Sequence, residues 1–593
     1  MIERPGYEGD LRHFERADGG AALRLGGKVI RGRFVIPSGI RCTHGSVIEK
    51  CFAEIDSIGV ITTKSISVKP RAGYREPIYA RYSPGSYVNA VGLTNPGAQA
   101  FRDELAGIRV PQDKFLLVSI FGGDVAEFAE AAEILKPVAD GFELNMSCPH
   151  AAGYGLQIGQ DPELVASITR EVVDIARKPV IVKLSATIPG LAKTAGLAMA
   201  AGAAGITVSN TIGPSMALAG GEPVLKNRFG GMSGNAIRPL ALWAVYVIRQ
   251  ALGPDPLIIG MGGIGTAEHV AQFRTAGADL FGVGSAMTGM DSEACQAYFG
   301  TLQRQVESAE PLPLESDSPD SAVTMAYHRA RVTARRRLSE HLFELDLDRL
   351  PGDPLPGDLS GHYYFVCIPS VGEKPFAIYS CERRTVVVRI VGEFTRALAE
   401  FPEGGELWLR GPYGRQFTGI GDCREYVLVG GGTGIASLVE IGWRLKGTAK
   451  ISSLLGARSG SELFGVAELE RLGDVAISTD DGSLGRRGTV SELLERFLAD
   501  RPEASLDSVA FVNCGPAPMI HACAKVEARY VPDDRIIAAV EYQTSCGVGI
   551  CGKCASPSGH LSCIDGPFMP MSAFRSRGGP GTCEQAECAP QAG

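Results

Sequence analysis

Short apolar runs alternate with helical patterns over the first half of the chain, from about residue 20 to residue 305. Examples are GVITTKSI, FLLVSIFG, GFELNMS, PVIVKLS, AGITVSN, PLIIGMGG and LFGVGSA. Buried β-branched runs that alternate with helices predict repeated βα units and a parallel sheet. About eight such units favour a (β/α)8 TIM barrel for residues 1–305, with an open doubly wound sheet as the alternative.

The residue pattern changes several times along the second half of the chain. Residues 306–326 are rich in Pro, Ser and acidic residues, which predicts a linker. Alternating strand-like segments in residues 327–420 predict an antiparallel β-barrel. The βα alternation returns in residues 421–535 and predicts a smaller α/β domain, and residues 536–593 hold a small cysteine-rich domain and a tail.

Composition excludes several classes of function. A chain of 593 residues is too long for one core, and its net charge of −8 offers no basic surface for nucleic acid or an anionic membrane. No apolar stretch approaches the length needed to cross a bilayer, and the polar N-terminus is unlike a signal peptide. Fifteen cysteines in such a chain predict reduced thiols, a cofactor site and a cytoplasmic location.

Four cysteines near the C-terminus read C-x4-C-x2-C-x8-C: Cys546, Cys551, Cys554 and Cys563. The first three have the spacing of plant-type [2Fe–2S] ligands. The intervening glycines permit positive φ angles, so that backbone N–H groups can turn toward cluster sulfurs. A zinc site would also accept four thiolates, but zinc loops more often use two short C-x2-4-C pairs. The spacing therefore predicts a [2Fe–2S] cluster and redox chemistry.

A polar segment, ELNMSCP, ends one of the predicted barrel strands. The carboxyl ends of barrel strands form the face where such barrels perform their chemistry. A lone cysteine is more often inert, but Cys148 has Asn145 and Ser147 beside it and a glycine-bearing loop suited to a lid after it. Other strand ends carry polar groups or turns of the same kind: Lys64, Ser65, Asn89, Gly92, Leu93, Lys183, Ser209, Asn210 and Thr211.

Two glycine turns, GMGGIG and GVGSA, follow the last two predicted strands of the barrel. Exposed backbone N–H groups in such turns can hold an anion, so the pair predicts a phosphate-bearing cofactor such as FMN. The candidate residues in these turns are Gly262, Gly263, Gly284 and Ser285.

The segments TTKSIS, VNAVGLTNPG, ELNMSCP, VKLS, SNT, FGGMSGNAIRP, IIGMGGI and VGSA together resemble soluble, FMN-containing dihydroorotate dehydrogenases. The resemblance implies that Cys148 is the catalytic base. It implies a substrate site formed by Lys64, Asn89, Gly92, Leu93, Asn145, Asn210 and Thr211. It implies FMN contacts from Lys64, Ser65, Asn145, Lys183, Ser209, Gly234, Gly262, Gly263, Gly284 and Ser285.

One residue departs from this family pattern. Many dihydroorotate dehydrogenases have Asn after SCP, whereas this chain has His150. SCPH followed by GQDPEL also resembles dihydropyrimidine dehydrogenase, which implies reduction of uracil or thymine with NAD(P)H as the alternative reaction. The NAVGLTNPG segment with Asn89 favours the dihydroorotate enzyme.

A glycine loop follows the strand-like run YVLV and opens a helix, the setting of a dinucleotide-binding loop: Gly431, Gly432, Thr433 and Gly434. With NCGPAPM, RGPYG and the cysteine run, it resembles the ferredoxin–NADP reductase superfamily, and most of all the electron-transfer subunit of NAD-dependent dihydroorotate dehydrogenases. The resemblance implies an FAD site that includes Ala377, Tyr379, Ser380, Gly392 and Thr395. Ala377 stands where the family has an arginine.

Together the two resemblances imply one fused enzyme of the NAD-dependent class, with FMN, FAD, a [2Fe–2S] cluster and NAD as cofactors. Such an enzyme oxidises dihydroorotate to orotate in de novo pyrimidine biosynthesis and passes electrons from FMN to the cluster, to FAD and to NAD⁺. The resemblance also implies a homodimer formed through the barrel. Two further alternatives are an electron-transfer module with the barrel as a docking platform, and a non-catalytic iron–sulfur sensor.

Overall fold

The computed structural model describes residues 14–17, 22–147, 156–307, 325, 327–348, 359–369, 371–380, 383–421, 423–502, 506–540 and 543–575. The chain forms two compact units. Unit 1 comprises Met1–Ala322 together with Val548–Lys553. Unit 2 comprises Val323–Gly547 together with Cys554–Gly593.

The strands of unit 1 are β1 (Phe14–Ala17), β2 (Ala22–Leu25), β3 (Lys28–Arg31), β4 (Phe34–Ile36), β5 (Ile58–Thr62), β6 (Tyr79–Ser83), β7 (Ser86–Asn89), β8 (Phe115–Ile120), β9 (Gly141–Asn145), β10 (Val180–Leu184), β11 (Gly205–Val208), β12 (Ile212–Ser215), β13 (Leu218–Ala219), β14 (Glu222–Pro223), β15 (Gly230–Gly234), β16 (Leu257–Met261) and β17 (Leu280–Gly282). Its α-helices are α1 (Gly45–Glu54), α2 (Ala98–Leu105), α3 (Val125–Leu135), α4 (Leu156–Gly159), α5 (Pro162–Ala176), α6 (Leu191–Ala200), α7 (Arg238–Leu252), α8 (Ala267–Ala276) and α9 (Ser292–Glu307).

A closed parallel barrel forms the centre of unit 1, in the order β10-β11-β16-β17-β4-β5-β8-β9. Its strands are buried along their whole length, as expected when helices cover the outer face. Closure confirms the barrel and excludes the open sheet. Because neighbouring strands are in register, Lys183 on β10 lies opposite Asn145 on β9 and Thr207 on β11.

One end of the barrel interior is closed by apolar side chains of a small antiparallel sheet, β1-β2-β3. Leu23, Leu25 and Ile30 belong to the same buried cluster as Phe115 and Leu257, which begin strands β8 and β16. The amino ends of the strands are therefore sealed by hydrophobic packing. At the carboxyl ends of the strands polar residues replace the apolar ones, so a functional site is expected there.

Local sequence signals set several helix ends. Asp124 and Asp161 each accept backbone N–H groups at the starts of α3 and α5, and Thr266 does so at the start of α8. Side-chain oxygens at these positions satisfy donors that have no partner within the helix. Helices α3 and α8 follow their barrel strands after short connections, so their caps also fix where those strand-end loops stop.

The strands of unit 2 are β18 (His328–Arg337), β19 (Leu342–Leu347), β20 (Tyr363–Ile368), β21 (Gly372–Ser380), β22 (Thr385–Arg389), β23 (Glu406–Tyr413), β24 (Glu425–Gly431), β25 (Lys450–Ala457), β26 (Asp474–Thr479), β27 (Arg486–Arg487), β28 (Val509–Cys514), β29 (Ile536–Ala539) and β30 (Met569–Pro570). Its α-helices are α10 (Glu393–Glu400), α11 (Ile435–Leu445), α12 (Val466–Glu470), α13 (Val490–Ala499), α14 (Ala517–Glu527) and α15 (Ser562–Asp565).

Unit 2 contains a closed antiparallel barrel, β18-β19-β22-β21-β20-β23, and a seven-stranded sheet, β27-β26-β25-β24-β28-β29-β30. The sheet is parallel except for its edge strand β30. The antiparallel barrel confirms the sequence prediction for this part of the chain and fits a ferredoxin–NADP-reductase-like module. Across all described residues, helices long and apolar enough for a membrane crossing are absent.

Candidate functional site

The carboxyl ends of β5, β9 and β11 bring three predicted site residues into one hydrogen-bonded cluster. Asn145 donates through Nδ2 to Ser65 Oγ at 2.8 Å. Asn210 donates through Nδ2 to Ser147 Oγ at 2.9 Å and lies 3.4 Å from Asn145 Oδ1. Asn210 Oδ1 accepts the backbone N–H of Thr211 at 2.7 Å, which orients the amide. The cluster thus fixes which face of each amide is turned toward the strand ends.

Ser65 extends this cluster into the barrel interior. Its hydroxyl lies 3.0 Å from Ser38 Oγ and 2.9 Å from Ser119 Oγ. Ser119 in turn donates to Glu143 Oε1 at 3.0 Å. Glu143 Oε1 lies 3.6 Å from Lys183 Nζ, and both side chains are buried. A continuous polar chain therefore joins the amide cluster to a buried ion pair.

Lys64 is a second buried cation at the same barrel end. Its backbone N–H donates to the carbonyl of Cys42 at 2.9 Å. Burial raises the pKa of the Cys42 thiol to about 11, and the positive charges of Lys64 and Lys183 oppose that rise. Cys42 is therefore a neutral thiol near both lysines, and the sequence patterns did not identify it.

Ser209 joins the strand-end face after β11. Its hydroxyl accepts the backbone N–H of Ala186 at 3.0 Å and donates to the carbonyl of Asn210 at 2.9 Å. These two bonds tie the loop after β10 to the loop after β11. Ser209 thereby holds the backbone from which Asn210 projects.

Asn89, Gly92 and Leu93 lie on another segment, the end of β7 and the loop that follows it. Asn89 is paired in register with Tyr79 on β6 and Gly231 on β15. Gly92 has φ +78°, and a Cβ at this position would lie 2.7 Å from the backbone nitrogen of Tyr74. The turn therefore requires glycine, as the predicted substrate loop does.

The glycine turns after β16 and β17 leave no room for side chains, as a site for a phosphate-bearing cofactor requires. Gly262 and Gly263 have φ values of +125° and +78°. A Cβ on Gly263 would lie 2.7 Å from the Gly234 carbonyl oxygen, and one on Gly284 would lie 3.2 Å from Pro37 Cγ. Because side chains are excluded, backbone N–H groups stay accessible to an anion. With Lys64 and Lys183 as cations, these residues fit FMN.

Cys148, the predicted catalytic base, lies outside the described residues, as do Pro149 and His150. The described part of the segment ends at Ser147, whose backbone N–H and hydroxyl both point to Asn145 Oδ1, at 3.4 and 3.1 Å. The role of Cys148 remains a prediction.

The predicted FAD residues lie on β21 and at the start of α10 in unit 2. Tyr379 is buried and packs edge-to-face on Phe464, with ring centroids 5.5 Å apart. Thr395 Oγ1 accepts the backbone N–H of Gly392 at 3.0 Å. Ala377 and Ser380 also lie on β21. Ala377 offers no cation for a diphosphate, so the fit to FAD rests on the remaining groups.

The predicted dinucleotide loop follows β24 and opens α11, as the sequence indicated: Gly431, Gly432, Thr433 and Gly434. A Cβ on Gly434 would lie 2.4 Å from the Cys514 carbonyl oxygen, at the end of β28. The two strand ends therefore approach so closely that only glycine fits between them. In parallel sheets such a crevice at the strand ends binds ligands.

The four cysteines of the predicted cluster are buried. Cys546, Cys554 and Cys563 belong to unit 2, where thiol hydrogen bonds to the other two raise the pKa of Cys563. Cys551 belongs to the segment of unit 1. Among the described residues, no set of three or more His, Cys, Asp or Glu is arranged for a metal ion.

Buried Arg410 anchors Cys546 in unit 2. It donates to the Cys546 carbonyl at 2.8 Å and binds Glu373 through two nitrogens at 2.6 and 2.9 Å. The guanidinium lies 3.8 Å from the centroid of the Phe365 ring. The RGPYG motif contains Arg410, but the sequence patterns gave this residue no role, because Glu373 and Cys546 lie far from it in the chain.

The closed barrel, with hydrogen-bonded amides and buried lysines at its strand ends, defines an α/β-barrel enzyme. Comparison with known families is consistent with this class: a family described as dihydroorotate dehydrogenase matches residues 22–305.

Curated relatives include the catalytic subunit of dihydroorotate dehydrogenase B (NAD(+)) from Pyrococcus abyssi, 39% identical over 45% of this chain and 87% of the relative. The same subunit from Pyrococcus horikoshii is 42% identical over 40% of this chain and 76% of the relative. That from Methanosarcina mazei is 36% identical over 47% of this chain and 90% of the relative. The chain therefore belongs to the dihydroorotate dehydrogenase family of oxidoreductases.

Proposed function

We propose that this protein oxidises dihydroorotate to orotate and delivers the electrons to NAD⁺. This oxidation is one reaction of de novo pyrimidine biosynthesis. The observation that carries the proposal is the hydrogen-bonded amide cluster of buried Asn145 and half-buried Asn210 at the strand ends of a barrel from this family. The relatives named above as NAD-dependent catalytic subunits support the choice of acceptor.

The proposed substrate contacts follow from hydrogen-bonding chemistry. A pyrimidine ring presents alternating N–H and C=O groups, and asparagine amides supply both acceptors and donors. Asn89, Asn145 and Asn210 are assigned to these ring groups, with Gly92, Leu93 and Thr211 completing the pocket wall. Lys64 is assigned to negative charge on the substrate, since a buried ammonium is stabilised by an anionic partner.

Cys148 is proposed as the general base that removes the proton from C5 of dihydroorotate. A thiolate is required for this step, and a free thiol titrates near ~8.5. Ordinary thiol behaviour predicts a rate that rises with pH through neutrality, unless neighbouring groups lower the pKa of Cys148.

When bound, FMN supplies a two-electron acceptor for the hydride from C6, and a [2Fe–2S] cluster and FAD supply carriers toward NAD⁺. Lys64, Ser65, Asn145, Lys183 and Ser209 are proposed to hold the flavin ring, and Gly234, Gly262, Gly263, Gly284 and Ser285 the phosphate end. The cluster is assigned to Cys546, Cys551, Cys554 and Cys563. In a [2Fe–2S] centre each iron takes only two of the four thiolates, so a group of three around one ion is not required.

Unit 2 is proposed to be an electron-transfer subunit fused to the catalytic barrel. In the second half of the chain we propose a linker at 306–326, an FAD-binding barrel in residues 327–420, an NAD-binding domain in 421–535, and a cluster domain with a tail in 536–593, of which Val548–Lys553 fall in unit 1. Tyr379, Ser380, Gly392 and Thr395 are assigned to FAD, and the loop from Gly431 to Gly434 to NAD. The closed antiparallel barrel supports this assignment.

The protein is proposed to act in the cytoplasm as a homodimer formed through the barrel. Helix α7 carries three large apolar side chains that are exposed: Leu240, Trp243 and Tyr246 at 44%, 51% and 52%. They are three residues apart and so share one helix face. Contiguous exposed apolar surface of this kind marks a protein–protein interface.

The test is anaerobic turnover by the purified holoenzyme. Dihydroorotate and NAD⁺ are mixed with the protein, and NADH is followed by its absorbance near roughly 340 nm, the band of reduced nicotinamide. NADH formation that requires dihydroorotate supports the whole proposal. No NADH with dihydroorotate, together with NADH oxidation on addition of uracil, contradicts it and identifies a dihydropyrimidine dehydrogenase-like enzyme.

A further inference from the structure

Glu143 is a buried carboxylate that the proposed reaction does not use. It lies on β9, two residues before Asn145, and its side chain is 0% exposed. Oε1 accepts the Ser119 hydroxyl at 3.0 Å and lies 3.6 Å from Lys183 Nζ. Among the described groups Oε2 has no hydrogen-bond partner.

If it served only to hold the fold, this arrangement would contribute little to stability. Barrel interiors are usually filled by branched apolar side chains. A buried ion pair is often no more stable than a well-packed apolar pair, and a carboxylate oxygen without a donor adds a further cost. At 3.6 Å the Lys183–Glu143 contact is longer than an ordinary N–H···O bond, so it acts mainly through charge.

We propose that Glu143 is a positioning residue that sets the reduction potential of bound FMN by acting through Lys183. The inference rests on the proposed function in one respect, namely that FMN lies against Lys183. Reduced flavin carries more negative charge than oxidised flavin, so a nearby cation favours reduction. The carboxylate of Glu143 offsets part of that cation's field, and charges interact strongly in a buried site.

Through the same polar chain, Ser119 is expected to affect the FMN potential in the direction opposite to Glu143. Its hydroxyl donates to Glu143 Oε1, which spreads the negative charge of the carboxylate. Without this donor the carboxylate offsets Lys183 more fully. Removing the charge of Glu143 and removing the hydroxyl of Ser119 therefore shift the FMN potential in opposite directions.

The test is anaerobic reductive titration of the full-length holoenzyme against a reference dye, following flavin absorbance. The FMN couple is identified as the one missing from Gly263→Ala protein, where a Cβ 2.7 Å from the Gly234 carbonyl oxygen is expected to disrupt the phosphate turn and deplete FMN. Glu143→Gln is expected to shift the equilibrium at least tenfold toward reduced FMN, which is about 30 mV for a two-electron couple. An unchanged or lower potential in Glu143→Gln protein that retains FMN overturns the inference.

Two further variants separate this role from a structural one. Glu133→Gln removes an exposed carboxylate from α3 and is expected to leave the potential unchanged. Ser119→Ala is expected to lower the FMN reduction potential. If Glu143→Gln protein does not retain FMN, the Ser119→Ala result alone tests the inference. A raised or unchanged potential in Ser119→Ala protein contradicts the inference. The dye titration needs no dihydroorotate, so wild-type protein that binds FMN but does not turn over dihydroorotate contradicts only the proposed substrate.

Discussion

Asn145 donates its side-chain amide to Ser65 Oγ at 2.8 Å, although the two residues are 80 positions apart in the chain. The closed barrel brings the ends of β5 and β9 together, and the pair then links the amide cluster to the buried chain of Ser119, Glu143 and Lys183. Two assigned substrate contacts, Asn145 and Asn210, are therefore connected to an assigned flavin contact, Lys183.

Asn145→Ala should disable the proposed site without unfolding the barrel. The change removes the donor to Ser65 and the acceptor near Asn210 and Ser147. Lost orientation and unpaired polar groups should lower kcat/KM for dihydroorotate by about 10²-fold or more. Steady-state kinetics measures this loss, and Gln99→Ala on the exposed face of α2 is the matched control. Activity within a few-fold of wild type would remove Asn145 from the site.

Cys148→Ala should abolish dihydroorotate-driven FMN reduction but spare NADH-driven FAD reduction. The first half-reaction needs a base at C5, whereas the second does not involve the barrel. Stopped-flow absorbance resolves both half-reactions. Cys51→Ala on α1 is the matched control, because burial raises the pKa of the Cys51 thiol to about 12 and leaves it protonated at neutral pH. Unimpaired FMN reduction in Cys148→Ala protein would sink the proposed role.

Gly263→Ala should deplete the protein of FMN. Gly263 has φ +78°, and a Cβ would lie 2.7 Å from the Gly234 carbonyl oxygen, so the turn must shift away from its present path. We expect at least a tenfold loss of FMN affinity, measured as flavin content after dialysis. Gly196→Ala on α6 is the control, since no atom lies within 4 Å of its Cβ and alanine should stabilise the helix by about 0.5–1 kcal/mol. Full flavin content in Gly263→Ala would contradict the assigned phosphate site.

Glu527 should make the stability of unit 2 depend on pH. Burial raises the pKa of Glu527 to about 8, against a smaller opposing effect from Asn513, which donates to Glu527 Oε2 at 2.8 Å. Between the unfolded value of 4.5 and about 8, the folded state binds more protons than the unfolded state. The free energy of unfolding therefore falls as pH rises through this range, by up to about 1.4 kcal/mol per pH unit.

Glu527→Gln should flatten this dependence and raise stability at pH 8 relative to wild type, because glutamine stays neutral and can still accept from Asn513. Denaturant unfolding at several pH values measures the slope. Glu495→Gln, an exposed change on α13, should leave the slope as in wild type. An unaltered slope in Glu527→Gln protein would show that this carboxyl does not hold a proton in the folded state.

Trp243→Glu should weaken the proposed dimer. It places a charge within the exposed apolar face of α7, between Leu240 and Tyr246, where association would have to bury it. Sedimentation velocity should show a shift from dimer to monomer. Tyr530→Glu changes an exposed aromatic residue of unit 2 and should leave the mass unchanged. If Trp243→Glu protein dimerises with unchanged affinity, the dimer interface does not include this face of α7.

The sequence determined the kinds of element and their order. Runs such as PVIVKLS and PLIIGMGG are largely apolar because parallel strands are buried on both faces of the sheet. The number of such runs predicted the eight-stranded barrel. The alternating segments after the linker likewise predicted an antiparallel barrel. The residues at the strand ends, Lys64, Asn145, Lys183 and Asn210, could be named in advance because barrel chemistry is confined to that end.

Only the tertiary structure decided which of these residues touch. The motif ELNMSCP contains Glu143, but its contact with Lys183 and Ser119 follows only from the register of β8, β9 and β10. Cys42 was missed, and Arg410 was named in RGPYG without a role, because their partners come from distant segments. Local pattern records whether a side chain is buried or exposed, whereas barrel closure sets the distances between strand ends. Those distances determine whether a buried charge meets a partner.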